Sequence, residues 1–154
     1  MRHLSILVLV LVVLGCGKKK DEDSGEKAAT DFVAKSATKD LEELKKAIAS
    51  PSPGDGKYKC AHMANIDTLE KAPEHKALAA ELRQLCTKDL YLAMIKVEVE
   101  KAEAARKAKP DEAVLSECYN ANYDFAKDEM TKAKTVDLAK DLVARFEVAC
   151  PPKK

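Results

Sequence analysis

The sequence lacks several features that define common classes of protein. It contains no tryptophan, only five glycines and few aromatic residues. Runs of the β-branched and aromatic residues that favour strands are scarce, whereas alanine, lysine, glutamate and leucine are abundant, so the composition predicts an all-α fold. Neither charge is in excess, since the net charge at pH 7 is +1. We therefore expect no nucleic-acid partner, because a nucleic-acid-binding protein carries a basic surface.

Sequence motifs that indicate catalysis or a cofactor are also missing. The chain has no C-x-x-C redox motif, no C-x-x-C-H haem attachment sequence and no H-E-x-x-H zinc motif. It has neither a glycine-rich phosphate-binding loop nor the nucleophile elbow of α/β hydrolases. The sequence therefore predicts a protein that is not an enzyme and that uses no cofactor and no metal.

Long hydrophobic runs are absent as well, because the longest, Leu4–Leu14, has eleven residues. A helix needs about 20 apolar residues to cross a membrane. This shorter run follows a basic start that contains Arg2, and it ends at Gly15 and Cys16. A positive start, a short apolar block and a small residue at its end are typical of a secretory signal peptide.

The last four residues of this segment, Val13-Leu14-Gly15-Cys16, resemble the lipobox of bacterial lipoproteins, with valine in place of the commoner leucine. The resemblance implies cleavage after Gly15, attachment of diacylglycerol to Cys16 and acylation of the new amino terminus. Two or more acyl chains hold a protein stably on a membrane. We therefore expect a protein of the cell envelope whose membrane partner is reached through Cys16. Gly17, where enteric inner-membrane lipoproteins carry aspartate, favours the outer membrane, facing the periplasm.

The remaining chain divides into a tether and one domain. Residues 17–27 are charged and lack large apolar side chains, so they bury too little surface to offset the entropy lost on ordering. Without residues 1–15 the chain has 139 residues, a length that suits one domain. We predict a signal peptide over 1–15, the lipidated cysteine and a flexible tether over 16–27, a helical domain over 28–150 and a tail over 151–154.

Apolar residues at three- and four-residue spacings predict a bundle of about five helices, arranged as antiparallel hairpins. The predicted helices are Glu26–Ala49, Lys57–Lys71, Glu74–Lys109, Asp111–Lys134 and Val136–Cys150. The third would be about 54 Å long, so a kink near Thr87–Asp89 is the alternative to one continuous helix. The residues predicted to face the core include Phe32, Leu41, Leu44, Tyr58, Ile66, Leu69, Leu82, Leu85, Ile95, Val99, Leu115, Phe125, Met130 and Phe146.

Four cysteines follow the lipobox, and an even number in an exported domain indicates disulfides. Two residues of an antiparallel hairpin face each other when they are equally far from its turn. Cys60 and Cys86 lie twelve and thirteen residues from the turn at Ala72-Pro73. Cys118 and Cys150 each lie sixteen residues from the last predicted turn. We therefore predict the disulfides Cys60–Cys86 and Cys118–Cys150.

The two predicted hairpins also share short strings of sequence. Ala-Asn-x-Asp follows the first cysteine of each, at 64–67 and at 121–124, and Leu-Ala-x-x-Leu precedes the second, at 78–82 and 138–142. Two interpretations stay open: duplication of one hairpin, or coincidence in a chain rich in alanine and leucine.

Two groups of residues are candidates for a site. Tyr119 and Tyr123, four residues apart, form with Asn122 a candidate binding strip, although half-buried tyrosines with hydrated hydroxyls would give the same pattern. His62 and His75 flank the turn at Ala72-Pro73. With Glu74 or Asp67 they are the only metal ligands worth considering, and we interpret them as surface histidines.

The functional expectation is a non-catalytic binding or scaffolding module of the envelope that engages a protein partner. The alternative is a small-ligand-binding or chaperone-like periplasmic lipoprotein with a groove between helix hairpins. The first predicts an exposed apolar patch on the surface, and the second predicts a concave apolar pocket.

Overall fold

The computed structural model describes residues 20–113 and 115–151. These residues form helices and connecting turns without any strand, which confirms the predicted all-α fold. The α-helices are α1 (Lys20–Ile48), α2 (Met63–Lys71), α3 (Lys76–Gln84), α4 (Leu90–Ala108), α5 (Ala121–Lys132) and α6 (Lys140–Ala149). The predicted signal peptide and Cys16 lie outside the described residues. None of the described helices is both long enough and apolar enough to span a membrane.

α1 begins at Lys20, six residues before the predicted start, so the last part of the predicted tether is helical. The absence of apolar side chains argued against burial of this segment, but it did not exclude a helix.

Three predicted helices start with, or are preceded by, a short segment of another kind. The structure has 3₁₀-helices at Pro53–His62, Pro73–His75, Ser116–Cys118 and Val136–Ala139. The predicted helices 57–71, 111–134 and 136–150 are therefore shorter as α-helices than the sequence indicated. Proline and glycine at the start of the first of these segments lower its α-helical propensity, which is one physical reason for the difference.

Gly56 gives a second reason, because it lies where the 3₁₀-helix Pro53–His62 approaches α1 and α4. A Cβ atom at this position would lie 3.0 Å from the Cβ of Ala47 and 3.0 Å from Cδ1 of Leu90. This is tighter than nine in ten real Cβ contacts, so a side chain here would push its neighbours aside by a few tenths of an ångström. The close approach of this segment to the core therefore favours glycine.

α3 and α4 are joined by one turn of π-helix, Leu85–Asp89, so the chain is helical from Lys76 to Ala108. A π turn places one additional residue in an α-helix. This π turn includes Thr87–Asp89, where the sequence allowed a kink as the alternative to one continuous helix. Thr87 lies within it, and its hydroxyl donates a hydrogen bond of 2.8 Å to the carbonyl oxygen of Arg83.

α4 is the centre of the fold, since α1, α5 and α6 all contact it. The largest side chains with almost no exposure are Leu44, Leu69, Leu90, Met94, Ile95, Leu115, Met130 and Val99, and half of them belong to α4. Three residues predicted to face the core are instead exposed: Phe32 (76%), Tyr58 (70%) and Phe125 (40%). In α1 the first buried residue is Ala34, so Phe32 precedes the part of this helix that other elements cover.

Both predicted disulfides are confirmed. The Cα atoms of Cys60 and Cys86 lie 5.3 Å apart, and those of Cys118 and Cys150 lie 5.4 Å apart. Cys60 and Cys86 are buried in the core, whereas Cys118 and Cys150 are half-buried. The first disulfide therefore belongs to the core, and the second lies at its margin.

Candidate binding cleft

A cleft of about 230 Å³ lies between the segment that follows α1 and the middle of α4. Its lining combines proline and methionine with both signs of charge and an amide. The lining residues are Pro51, Ser52, Pro53, Gly54, Asp55, Lys57, Tyr58, Met94, Val97, Glu98, Lys101 and Asn122. Three separate parts of the chain thus converge here: the turn after α1, α4 and the first turn of α5.

Glu98 is the one buried charged residue among those the structure describes, with 5% of its surface exposed. It lines the cleft, and its carboxylate accepts a hydrogen bond of 3.0 Å from Nζ of Lys101. It accepts a second hydrogen bond from the amide nitrogen of Asn120. A carboxylate offers about four acceptor positions, so these two hydrogen bonds do not use its full capacity. A buried charge without partners would be strongly destabilising, and these two contacts explain why Glu98 is tolerated.

Asn120 links Glu98 to α5. Its side-chain oxygen accepts hydrogen bonds from the backbone N–H groups of Asn122 (2.9 Å) and Tyr123 (3.3 Å), and it thereby caps the helix. Its side-chain nitrogen donates to Glu98 at the same time. One asparagine therefore fixes the start of α5 and the position of the buried carboxylate, and it is the physical reason that α5 begins at Ala121 rather than at Asp111.

Two exposed aromatic side chains flank Lys57, which lines the cleft together with one of them, Tyr58. The ammonium nitrogen of Lys57 lies 5.3 Å from the ring centre of Tyr58 and 5.7 Å from that of Phe125. Both distances are within the range of a cation–π contact. Phe125 also packs edge-on against Tyr91, with 6.0 Å between ring centres. We call Lys57, Tyr58 and Phe125 the aromatic rim.

A second concave surface, the α4–α6 groove, has a volume of about 430 Å³ and a largely apolar floor. Its lining residues are Glu103, Arg106, Lys107, Ala144, Arg145, Val148 and Ala149. Val148 is 82% exposed, although it is aliphatic. This groove is the larger of the two surfaces and the more apolar.

Two arginines of the α4–α6 groove are fixed by other groups of the chain. Arg145 donates to both carboxylate oxygens of Glu103, at 2.8 and 2.7 Å, and this contact lowers the pKa of Glu103. Arg106 donates to the carbonyl oxygens of Ala149 (3.0 Å) and Glu112 (2.7 Å). Both guanidinium groups are thereby engaged, and the groove keeps its apolar floor as its main binding feature.

The structure separates the two tyrosines of the predicted binding strip. Tyr119 precedes α5 and is 64% exposed, whereas Tyr123 is 4% exposed and stacks on Phe146, with 3.8 Å between ring centres. Asn122 is exposed and lines the cleft. The two rings do not form one surface, because the chain before Ala121 is not α-helical and their four-residue spacing does not place them on one face.

The structure does not bring together all the candidate metal ligands that were grouped from the sequence, namely His62 and His75 with Glu74 or Asp67. The side chain of His62 lies outside the described residues. His75 contacts Asp31 of α1, with 3.2 Å between Nε2 and Oδ1, and Glu74 lies beside them. Asp67 instead binds Arg83 at 2.7 Å. No local pattern indicated that Asp31 approaches the turn before α3, since this proximity results from the packing of α1.

The cleft was not predicted from the sequence, because nothing in the local pattern distinguishes Glu98 from the other charged residues of its helix. Glu98 lies in the segment KVEVEK (96–101), which alternates like a strand but was kept within the predicted helix 74–109. One signal was available: Asn120 stands directly before an α-helical pattern, where asparagine is a preferred capping residue. That signal would have located the start of α5 but not the carboxylate that Asn120 contacts.

Comparison of the chain with protein-family models, with curated proteins and with solved structures found no match.

Proposed function

We propose that this chain is a lipid-anchored protein of the bacterial cell envelope, with residues 1–15 as its signal peptide and Cys16 as the acylated residue. The sequence pattern before Cys16 supports this proposal. The two disulfides of the body also support it, because disulfides form and persist in oxidising compartments outside the cytosol. The proposed location is the outer membrane, with the domain facing the periplasm.

This proposal is tested by metabolic labelling with a palmitate analogue. The wild-type chain should incorporate the label and remain with membranes, whereas Cys16→Ser should lose both properties. An unlabelled wild-type chain in the cytosolic fraction would refute the lipid anchor and the location together.

We propose further that the domain is a non-catalytic binding module whose cleft receives a segment of a protein partner. The observation that carries this proposal is the presence, in one cleft lining, of the buried carboxylate of Glu98 and of Lys57 and Tyr58 from the aromatic rim. Aromatic side chains are enriched among the residues that dominate binding energy at interfaces. Glu98 offers acceptor positions to a donor, such as a lysine or arginine side chain of the partner. Contacts of these two kinds favour a partner that inserts a segment into the cleft over a partner that rests on a flat surface of the domain.

Gly54 provides a matched pair of variants for the test. A Cβ atom at this position would lie 3.7 Å from Met94 and 3.8 Å from Asn122, an ordinary contact distance. Gly54→Ala should therefore leave the cleft open, whereas the side chain of Gly54→Leu would enter it. A photo-crosslinking residue at Tyr58, introduced in intact cells, should capture a discrete protein in the wild-type and Gly54→Ala backgrounds and lose it in Gly54→Leu.

The same crosslinking residue at Phe32, an exposed position in the first part of α1, serves as the positional control. Equal capture at both positions, or capture that persists in Gly54→Leu, would contradict binding in the cleft. The folded state of each variant is checked by its far-ultraviolet circular dichroism and by its resistance to protease.

A second candidate function is the binding of a small apolar ligand, and the α4–α6 groove favours it. Its volume of about 430 Å³ falls within the usual range for ligand pockets, about 300–1,000 Å³. Ligand binding there should be abolished by Val148→Lys and unaffected by Gly54→Leu. Mass spectrometry of protein extracted from its native membrane would reveal the ligand, and identical lipid content in both variants would exclude this function.

We also propose that α2 with α3, and α5 with α6, run antiparallel as hairpins. The disulfides support this arrangement because each joins residues that are nearly equidistant from a turn. Direct helix packing supports only the first pair, since α2 packs on α3, whereas α5 and α6 pack mainly on α4. Spin labels at Asn65 and Ala80, both exposed and each seven residues from Ala72-Pro73, provide a test. In a hairpin they should be less than about 15 Å apart, whereas helices laid end to end would separate them by about 20 Å or more.

A further inference from the structure

One group of metal-ligating side chains lies outside both concave surfaces. Asp31, Glu74 and His75 form the only group of three or more histidine, cysteine or acidic residues, among those the structure describes, that is close enough to share a metal ion. One ligand atom from each residue lies within 4.8 Å of the other two. Asp31 comes from α1, and the other two come from the 3₁₀-helix between α2 and α3. The tertiary fold, and not local sequence, brings them together.

The side chains of this group have few other partners. Within the described part of the chain, the carboxylate of Glu74 makes no hydrogen bond or ion pair. The contact of 3.2 Å between Asp31 and His75 is the one that the structure gives either of these side chains. The carboxylates of α1 that lie nearer the core differ, since Asp40 and Glu43 both pair with Lys59. The three donors are therefore available to a cation, whereas nearby carboxylates are already neutralised by lysine.

We propose that Asp31, Glu74 and His75 bind a zinc ion. One imidazole nitrogen and two carboxylate oxygens are a donor set that zinc accepts, with bonds of about 2.0–2.2 Å, and a fourth position stays open to water. Two ligands of a tetrahedral zinc ion are separated by about 3.4 Å at these bond lengths. The 3.2 Å between Nε2 of His75 and Oδ1 of Asp31 is close to that separation. Glu74 has to move its carboxylate by a small side-chain rotation only, because all three atoms already lie within 4.8 Å.

The ion would fasten a part of α1 that packs weakly. Lys27, Ala28, Ala29, Asp31 and Phe32 are all exposed, and burial in this helix begins in the turn that contains Ala34. His75, in contrast, is held next to the turn that closes the first disulfide-linked segment. Zinc would therefore tie α1, about three turns after its start at Lys20, to the disulfide-bonded body.

The test uses the full chain with both disulfides intact, purified in detergent and without a polyhistidine tag. Titration against a chromogenic zinc indicator should show one zinc ion per chain. His75→Gln should weaken binding about tenfold or more, as should Asp31→Asn and Glu74→Gln, since each removes one of three ligands. Zinc at about 100 times its Kd should raise the Tm of the wild-type chain by about 5–10 °C, and that of His75→Gln by much less.

Three controls make the result decisive. Glu42→Gln removes an exposed carboxylate of α1 outside the group, and His62→Gln removes the other histidine of the domain. Both should bind zinc as the wild-type chain does. The site is excluded if His75→Gln binds as tightly as the wild-type chain, or if His62→Gln alone abolishes binding. Gly54→Leu should not alter zinc binding. The proposed binding of a partner in the cleft and the proposed zinc site can therefore be refuted independently.

Discussion

In the first disulfide-linked half, residues 53–89, a 3₁₀-helix with a cysteine leads into an α-helix, a shorter 3₁₀-helix and a second α-helix. Residues 116–150, the second half, repeat this order of elements. In each half the disulfide joins the first 3₁₀-helix to the end of the second α-helix. The shared strings of sequence thus correspond to a shared order of structure, which favours duplication over coincidence.

The interiors of the two halves differ in what fills them. The first half buries its disulfide together with Leu69 and Leu82. In the second half the stacked rings of Tyr123 and Phe146 are buried, and the disulfide is displaced to the margin, where both of its cysteines are half-buried. The same order of helices therefore buries a disulfide in the first half and a pair of aromatic rings in the second. The disulfide is part of the core in the first half and lies at its margin in the second.

The largest effect is expected from removal of each disulfide in turn. The cysteines lie 26 and 32 residues apart, and loop-closure entropy alone gives about 3.5 kcal/mol for either link. Cys60→Ala with Cys86→Ala should cost about 1 kcal/mol more than Cys118→Ala with Cys150→Ala, because it also removes buried sulfur atoms. Urea unfolding of the two double variants measures this difference directly.

The order of reduction tests the same contrast without mutation. Dithiothreitol under native conditions should reduce Cys118–Cys150 before Cys60–Cys86, since the sulfurs of the second link are the more exposed. Peptide mapping after brief reduction and alkylation shows which link opens first. Equal costs for both double variants, together with simultaneous reduction, would contradict the distinction between core and margin.

The stability of the second half should depend more strongly than that of the first on the polar residue that caps its first α-helix. Asn120→Ala removes the cap of α5 and a hydrogen bond to the buried carboxylate of Glu98, so we expect a loss of about 2–3 kcal/mol in the free energy of unfolding. Asn65→Ala, at an exposed asparagine within α2 of the first half, is the control, and it should stay within about 0.5 kcal/mol. Comparable losses in both variants would show that the cap does not carry the difference.

The buried ring of Tyr123 predicts an effect that changes with pH. Its hydroxyl has no hydrogen-bond partner among the described residues, so Tyr123→Phe should stabilise the protein by about 1 kcal/mol at pH 7. Burial raises the pKa of Tyr123 from 10.0 to about 12. Because the folded state favours the protonated phenol, the contribution of Tyr123 to stability should be constant below pH 10 and should fall as the pH rises towards 12.

Tyr123→Phe should not show that alkaline loss, so the stability gap between the two chains should widen above pH 10. Tyr58→Phe, at an exposed tyrosine of the first half, is the control and should leave the pH profile unchanged. Rapid chemical denaturation at pH 8 to 11 provides the measurement, and parallel profiles for wild type and Tyr123→Phe would oppose the assignment.

The smallest effect concerns the end of α5. Lys134 has a φ of 58°, and the N–H groups of Lys134 and Thr135 bond to the carbonyl oxygens of Thr131 and Met130. This is the Schellman arrangement, in which glycine is preferred at the left-handed position. Lys134→Gly should therefore stabilise the protein by about 0.5–1 kcal/mol, and Lys134→Ala should give no gain. Thermal unfolding of the two variants distinguishes them.

The sequence predicted the fold class and both disulfides because these depend on periodic or countable features. Apolar spacing indicated the helices, and the distances of the cysteines from the turns indicated their pairs. The 3₁₀-helices were not predictable in this way. Gly56 is favoured only because Ala47 and Leu90 lie next to it in space, and a single sequence does not show such contacts.

The cleft depended on the same kind of long-range information. Glu98 was not singled out from the sequence, and its burial is tolerated because Lys101 and Asn120 satisfy its carboxylate. Tyr58 and Phe125 were assigned to the core by their hydrophobicity, and both are exposed beside Lys57. The helix was predicted correctly at Glu98 and Phe125, whereas Tyr58 lies in the 3₁₀-helix Pro53–His62. In each case the exposure of the side chain depends on tertiary packing, which the local pattern does not show.

The π turn at Leu85–Asp89 has a consequence for the geometry of the whole molecule. An α-helix rotates by about 100° per residue, so one added residue changes the azimuth of everything beyond it. Cys86 lies inside this turn, and Met94 and Glu98 follow it on α4. Deletion of one residue there would leave a regular helix but would aim Glu98 away from Asn120. The one additional residue of the π turn therefore sets the orientation of the cleft residues on α4 relative to the first half.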